Sequence, residues 1–196
     1  MNDRNIKGIV LAGGKSSRFG ADKAMAKLGG ITLLERAVNL LKDLELDSVI
    51  VAGGLKDYSF LNCRIEKDIF PDQGPLGGFY TACRIFEDSP LLVLTCDMPG
   101  VTPAVLETLL RHHEKKHFIT VFNGFGGGYQ PFPGIYESRF LNLAFTHIQQ
   151  GQLSMHDFLS AVGRVHSIQP DFEQHVLMNV NEPADLRRRD LTHIFS

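Results

Sequence analysis

Residues 90–95 read PLLVLT, a run with one hydroxyl, at its end. A strand with one wet face alternates apolar and polar side chains; a run without alternation is covered on both faces. Helices cover both faces when they cross over between parallel strands. The run therefore predicts a central strand of a parallel sheet. Residues 6–11, IKGIVL, predict a second buried strand, and residues 47–52, 63–66 and 118–122 predict further ones. Between them lie helix patterns. Residues 32–44, TLLERAVNLLKDL, carry apolar positions at helical spacing, and Thr32 with Glu35 form a capping-box pair. The segment 70–78, FPDQGPLGG, reads as a turn-rich loop feeding a helix to about residue 86. Another helix is expected from about 102 toward 116, with Pro103 in its first turn. Strand and helix in alternation predict an α/β fold of three layers, doubly wound about a mainly parallel sheet.

The pattern loosens after Asn123, where NGFGGGYQPFPGIY is glycine-rich and then extended. Helices are expected at 137–149 and 154–159, short strands at 165–168 and 176–178, and a last helix opened by Pro183. There is no internal repeat or low-complexity linker. The chain has 196 residues, 43% of them hydrophobic, which suits one sizeable core. A single domain over 1–196 is the expectation.

Composition narrows the class of function. The net charge of −2 argues against a nucleic-acid groove or an anionic-membrane surface as the main role. Cys63, Cys83 and Cys96 form no C-x-x-C pair, and as an odd set they read as reduced thiols. Cys96, among apolar neighbours, reads as a core filler. The eight histidines lack metal-ligand spacing, and no G-x-S-x-G occurs. No secretory leader or membrane span is read from the sequence, so the expected location is the cytoplasm.

The chemistry gathers at predicted strand ends. Open parallel sheets bind ligands there. Leu11 to Lys23, LAGGKSSRFGADK, follows the first strand. It has the spacing of neither G-x-G-x-x-G nor G-x-x-x-x-G-K-[S/T]. The backbone of Ala12, Gly13 and Gly14 is suited to approach a nucleotide and offer N–H groups to phosphate oxygens. Arg18 offers a planar fork of donors, and Lys23 a compact charge. The alternative is a tight turn carrying solvated cations. Asp97, just past the most apolar strand, either holds Mg²⁺ against phosphate oxygens or caps the turn CDMPG. Asp68, near GPLGG, either accepts hydrogen bonds from a base or ribose or holds its own loop. Asn179 and Asn181 share one side of an extended NVN segment. They either orient phosphate, water or metal, or Asn181 caps the last helix.

Four blocks, LAGGKSSRFGADK, GPLGG at Gly74 to Gly78, CDMP at Cys96 to Pro99 and NVNEP at Asn179 to Pro183, resemble those of the MobA-like nucleotidyltransferases in order and separation. The resemblance runs from about Lys7 to Leu186 and is greatest to the molybdenum cofactor guanylyltransferases. It implies a doubly wound nucleotidyltransferase domain like that of the nucleotide-diphospho-sugar transferases. It implies transfer of GMP from GTP to molybdopterin carrying molybdenum, with Mg²⁺ as cofactor and pyrophosphate released. It assigns Leu11, Ala12 and Gly13 to GTP, Lys23 to its phosphates, Asp68 to the nucleotide and Asp97 to Mg²⁺. Asn179 and Asn181 fall beside the acceptor and metal region. Lys23, Arg18 and Asp97 are the implied catalytic set.

Two positions depart from the guanylyltransferase pattern. Ala52 stands where that pattern often has Asn, and Glu182 where NVN is commonly followed by Thr. Gly13 favours guanine, because molybdopterin cytidylyltransferases tend to read LAAG at this loop. The rival readings are a sibling using another base or acceptor and a non-catalytic nucleotide-binding regulatory protein. The expected partners are GTP, molybdenum-loaded molybdopterin and, transiently, proteins that deliver the cofactor or mature molybdoenzymes.

Overall fold

The computed structural model describes residues 5–13, 19, 22–53 and 57–187. The first strand, β1 (Lys7–Ala12), is followed by a short ribbon of β2 (Lys27–Leu28) and β3 (Ile31–Thr32) and by helix α1 (Leu33–Asp43). Next come β4 (Ser48–Ala52), β5 (Arg64–Lys67), α2 (Gly74–Ile85), β6 (Pro90–Thr95) and α3 (Pro103–His112). The remainder holds β7 (Ile119–Asn123), β8 (Tyr129–Glu137), α4 (Leu141–Gln149), α5 (Met155–Val162) and β9 (Val165–Ile168).

Seven strands form one sheet in the order β5-β4-β1-β6-β8-β7-β9. All neighbours pair in parallel except those of β8, which runs antiparallel to both β6 and β7. The apolar runs lie where full coverage requires: Ile9, Val49, Ile50 and Leu91 to Val93 are wholly buried. Side-chain alternation separates the helices into two layers. An added Cβ on Gly8 of β1 would touch Leu41 of α1, and one on Gly78 of α2 would touch Leu11, three residues along β1 on its other face. On the α2 face, the Phe79 ring packs tilted against Tyr136 of β8 and edge-on against Phe158 of α5. On the α1 face, buried His113, just past α3, bonds Thr120 of β7 at 2.8 Å. The result is a three-layer α/β fold with a mainly parallel sheet, as the strand patterns predict.

The register aligns the strand ends. Ala12 pairs with Ala52, Leu11 with Thr95, and Ala52 with Lys67. The residues that follow β1, β4, β5 and β6 therefore meet on one edge of the sheet.

Three local expectations are corrected. GPLGG is not loop but the first turns of α2, which begins at Gly74. Pro75 fits there because a first turn leaves its own N–H groups unpaired. Residues 176–178 are not a strand. A 3-10 turn covers Gln174–Leu177, with the Val176 and Met178 N–H groups bonded to Glu173 and His175 carbonyls. Its backbone packs on Gly100, where a Cβ would stand 3.0 Å from the Val176 carbonyl oxygen. Helix α3 stops at His112, four residues short of the expected end, because His113 is extended.

The predicted capping box at the start of α1 is complete: the Thr32 hydroxyl accepts from Glu35 N at 3.0 Å, and Glu35 accepts from Thr32 N at 3.3 Å. Thr32→Ala is expected to lower stability by about 1 kcal/mol, read as a lower urea midpoint at unchanged slope. An unchanged midpoint would show that the box contributes nothing.

Candidate active site

The aligned strand ends open a cleft of about 570 Å³, counted to its mouth, bordered by Gly13, Lys23, Gly53, Asp68 and Asp97. Gly13 follows β1 and Gly53 follows β4. A Cβ on Gly13 would stand 3.3 Å from Gly53 N, so the two backbones run close together along the floor.

Lys23 and Asp97 meet at this cleft. Lys23 Nζ donates to Asp97 Oδ2 at 2.7 Å and to the Val180 carbonyl at 3.1 Å. The Val180 N–H donates in turn to the Asp97 carbonyl at 2.7 Å. Three segments far apart in sequence are thus tied at one point. Both charged side chains keep a minority of their surface in solvent, 20% for Lys23 and 16% for Asp97. The other carboxylate oxygen, Asp97 Oδ1, is buried with no hydrogen-bond partner among the described residues. Asp22 fixes where Lys23 starts. Its side chain accepts from Ala24 N at 3.2 Å and caps the 3-10 turn Lys23–Met25, while its Oδ2 accepts from the Tyr58 hydroxyl at 2.7 Å. Burial first, then Asp22, pushes the Tyr58 hydroxyl above its ordinary range, so it remains a proton donor.

Asp68 is held from behind. Its Oδ1 accepts from the Thr81 hydroxyl at 2.8 Å and from Phe70 N at 3.0 Å, and the Thr81 oxygen accepts from Ile69 N at 2.9 Å. Burial raises the Asp68 carboxyl above the usual range; the Thr81 and Phe70 bonds oppose that, and Asp72 adds to it. Gly77 makes room: a Cβ there would lie 2.5 Å from the Phe70 carbonyl oxygen and 3.3 Å from Asp68 Oδ2. Of the two sequence alternatives for Asp68, the structure shows that it holds its own loop, through Phe70 N, while it also borders the cleft.

With this geometry in view, comparison with known proteins is direct. The model of the MobA-like NTP transferase domain matches residues 8–165. The chain belongs to the MobA-like NTP transferase family. A probable molybdenum cofactor guanylyltransferase of Carboxydothermus hydrogenoformans is 33% identical over 201 residues, covering 98% of each chain. One from a Geobacillus species is 35% identical, covering 92% of this chain and 95% of the other. The crystal structure of molybdopterin-guanine dinucleotide biosynthesis protein A from Archaeoglobus fulgidus superposes with TM-score 0.76 at 25% identity, covering 96% and 97%. A 2-C-methyl-D-erythritol 4-phosphate cytidylyltransferase from Thermus thermophilus, 14% identical with TM-score 0.68 over 95% and 96% of the two chains, shares the fold. That fold is the one found among nucleotide-diphospho-sugar transferases.

Within this MobA-like transferase, Leu11, Gly13, Lys23, Asp68 and Asp97 all border the cleft. Ala12 is buried at the end of β1, so only its backbone is near the site. Gly14 and Arg18 lie outside the described residues. Asn179 and Asn181 are exposed on either side of Val180, which is fully buried. Among the described residues the Asn181 side chain makes no capping bond; Asp185 accepts from the N–H groups of Asn181 at 2.7 Å and Glu182 at 3.0 Å. The Cys96 thiol, pushed up to about 12 by burial and by Asp97, is no nucleophile at neutral pH. Among the described residues, no three of His, Cys, Asp or Glu cluster as a metal site, and no helix is long and apolar enough to cross a membrane.

Sequence reasoning missed Asp22, Tyr58, Thr81 and the Val180 carbonyl. Asp22 had a signal, its place next to Lys23 in the loop motif; Tyr58 and Thr81 had none.

Thr81→Val removes a donor to Asp68 while keeping the side chain's shape. The Asp68 carboxyl, already raised by burial, is then expected to titrate at higher pH than in the parent, followed by carboxyl-carbon NMR. Thr81→Ser is expected to restore the parent value. Identical titration in parent and Thr81→Val would refute the support assigned to Thr81.

Proposed function

We propose that this chain transfers GMP from GTP to molybdopterin carrying molybdenum, releasing pyrophosphate and forming the guanine dinucleotide cofactor. The observation that carries this reading is the Lys23–Asp97 pair beside a glycine-floored cleft, in a chain whose relatives are named molybdenum cofactor guanylyltransferases. Gly13 supports guanine over cytosine at this loop. Ala52, where the guanylyltransferase pattern often has Asn, is buried and lies directly before Gly53. We therefore assign the base contact on that side to backbone.

The proposed mechanism needs no protein nucleophile. A terminal phosphate oxygen of the acceptor, already ionised at neutral pH, attacks the α-phosphorus of GTP. The new O–P bond forms as the bond to the bridging oxygen breaks, and pyrophosphate leaves with that electron pair. Gly13 and Gly53 let the nucleotide lie against backbone. Asp68, its Oδ1 occupied by Thr81 and Phe70, keeps Oδ2 to accept from base or ribose. Lys23 neutralises charge that grows on the phosphate oxygens; Arg18 is assigned the same task. Asn179 and Asn181 are assigned to the acceptor side.

The residues present fit Mg²⁺. Asp97 Oδ1 is a buried carboxylate oxygen without a hydrogen-bond partner among the described residues, which is costly unless a cation meets it. One protein carboxylate with substrate phosphates is also a common donor set for this ion. Asp97 would hold it, and the bound ion would draw charge from the phosphate oxygens. We read residues 1–196 as one cytoplasmic nucleotidyltransferase domain. We also infer transient contact with proteins that deliver or receive the cofactor, because the acceptor's dithiolene–metal group favours hand-over without release.

The test is pyrophosphate release from GTP, CTP, ATP and UTP with molybdenum-loaded molybdopterin. GTP is expected to be the productive donor. Lys23→Ala and Asp97→Asn are each expected to lower kcat by roughly 10²–10³-fold or more, with the cooperative melt retained. Near-parental turnover in either variant, or preference for another nucleotide, would contradict the assignment.

A further inference from the structure

Tyr58 is one of the largest fully buried side chains, and the proposed mechanism gives it no task. It lies between β4 and β5, on the connection that opens with Gly53 at the cleft floor. Its ring belongs to the main core, and its carbonyl accepts from Leu61 N at 3.0 Å, which closes the 3-10 turn Ser59–Leu61. A phenylalanine would fill such a place. A hydroxyl is costly there unless it makes a bond. This one donates to Asp22 Oδ2 at 2.7 Å, across 36 residues of chain.

Asp22 divides its oxygens between two tasks. Oδ2 takes the Tyr58 hydroxyl, and Oδ1 accepts from Ala24 N at 3.2 Å. The Asp22 carbonyl accepts from Met25 N at 3.0 Å, which completes the turn Lys23–Met25. A carboxylate is planar, so a bond at one oxygen fixes the direction of the other. The Tyr58 bond therefore holds the cap in place from its far side. Lys23 opens the capped turn and sends its Nζ to Asp97 and to the Val180 carbonyl.

Charge gives a second reason for the hydroxyl. After burial, Asp97 and Asp22 both push up the Cys96 thiol, which lines the cleft, and Lys23 opposes them. The ammonium thus works within electrostatic reach of two carboxylates. A hydrogen-bond donor on Asp22 draws its negative charge toward Tyr58. That lessens its pull on the ammonium and its repulsion of a phosphate brought to Lys23.

We propose that Tyr58 is a positioning residue of the transfer reaction: acting through Asp22, its hydroxyl sets where the Lys23 ammonium stands. This rests on the proposed transfer, which gives Lys23 its phosphate. Tyr58 itself meets neither nucleotide nor acceptor. Its contribution is one oxygen, placed behind the turn that carries the cation.

Two readouts on the full chain test it, with Tyr58→Phe, Asp22→Asn and the double variant. Tyr58→Phe removes only the hydroxyl. Asp22→Asn leaves one acceptor oxygen for two bonds, and the same readouts on it decide the matter should Tyr58→Phe fail to fold. The first readout is steady-state pyrophosphate release from GTP with molybdenum-loaded molybdopterin. Tyr58→Phe is expected to lower kcat roughly tenfold or more, because slight misplacement of a group at the reacting centre is costly, with KM for GTP within about twofold of the parent. The double variant is expected to fall no further than Asp22→Asn alone. Tyr136→Phe is the control. It also deletes a fully buried hydroxyl, one bonded to the Pro131 carbonyl, but on β8, which β6 separates from β1. It is expected to keep the parental kcat. Parental kcat in Tyr58→Phe, an equal fall in Tyr136→Phe, or single effects that multiply in the double variant overturns the proposal.

The second readout needs no turnover. The nitrogen NMR signal of the Lys23 ammonium, assigned by its loss in Lys23→Arg, is expected to shift in Tyr58→Phe and to hold in Tyr136→Phe. An unchanged signal in Tyr58→Phe overturns the proposal as well. A chain that shows this shift, while its parent releases no pyrophosphate from GTP, sinks the transfer reading and leaves the link from Tyr58 to Lys23 standing.

Discussion

The contact on which the rest depends joins Lys23 Nζ, Asp97 Oδ2 and the Val180 carbonyl. Seventy-four residues separate the first two and 157 separate Lys23 from Val180. Closing such long loops costs chain entropy, and an ion pair that is mostly buried, and so largely desolvated, cannot be expected to repay it. The sheet does so. Its buried parallel strands bring the ends of β1 and β6 into register, and the charged pair forms where they end. The C-terminal segment then returns to the same edge, held by Val180 N on the Asp97 carbonyl and by close packing on Gly100.

Each functional group at this edge is fixed by a buried polar partner that bears no obvious role of its own. Tyr58 holds Asp22, which caps the turn that starts at Lys23. Thr81 holds Asp68 against the rise that burial imposes on its carboxyl. Gly77 removes the atom that would block this arrangement. Hydrogen bonds inside a low-dielectric wall hold geometry well, because an unmade bond there is costly. The site is therefore set in advance of any ligand, as transfer by positioning and electrostatics requires.

Much of this was legible in the sequence, and the reason is periodicity. Residues 90–95 match β6 residue for residue, and the Thr32–Glu35 pair forms the predicted box, because both signals are local. Lys23, Asp68 and Asp97 were legible because each follows a strand, where an open sheet binds ligands. Tyr58, Thr81 and the Val180 carbonyl were not, since a partner brought in by folding leaves no spacing to read, and a carbonyl has no residue type. The start of α2 was hidden because glycines that serve close packing look like glycines that serve turns. The antiparallel direction of β8 escaped notice because its buried stretch, residues 131–136, reads alike in either direction.

The central proposal is that Asp97 would hold a metal ion beside the phosphates that Lys23 would meet. Calorimetric titration of GTP, with and without Mg²⁺, into the parent and Asp97→Asn tests it most directly. The account predicts that Mg²⁺ tightens GTP binding strongly in the parent and little in the variant. Equal tightening in both would contradict it.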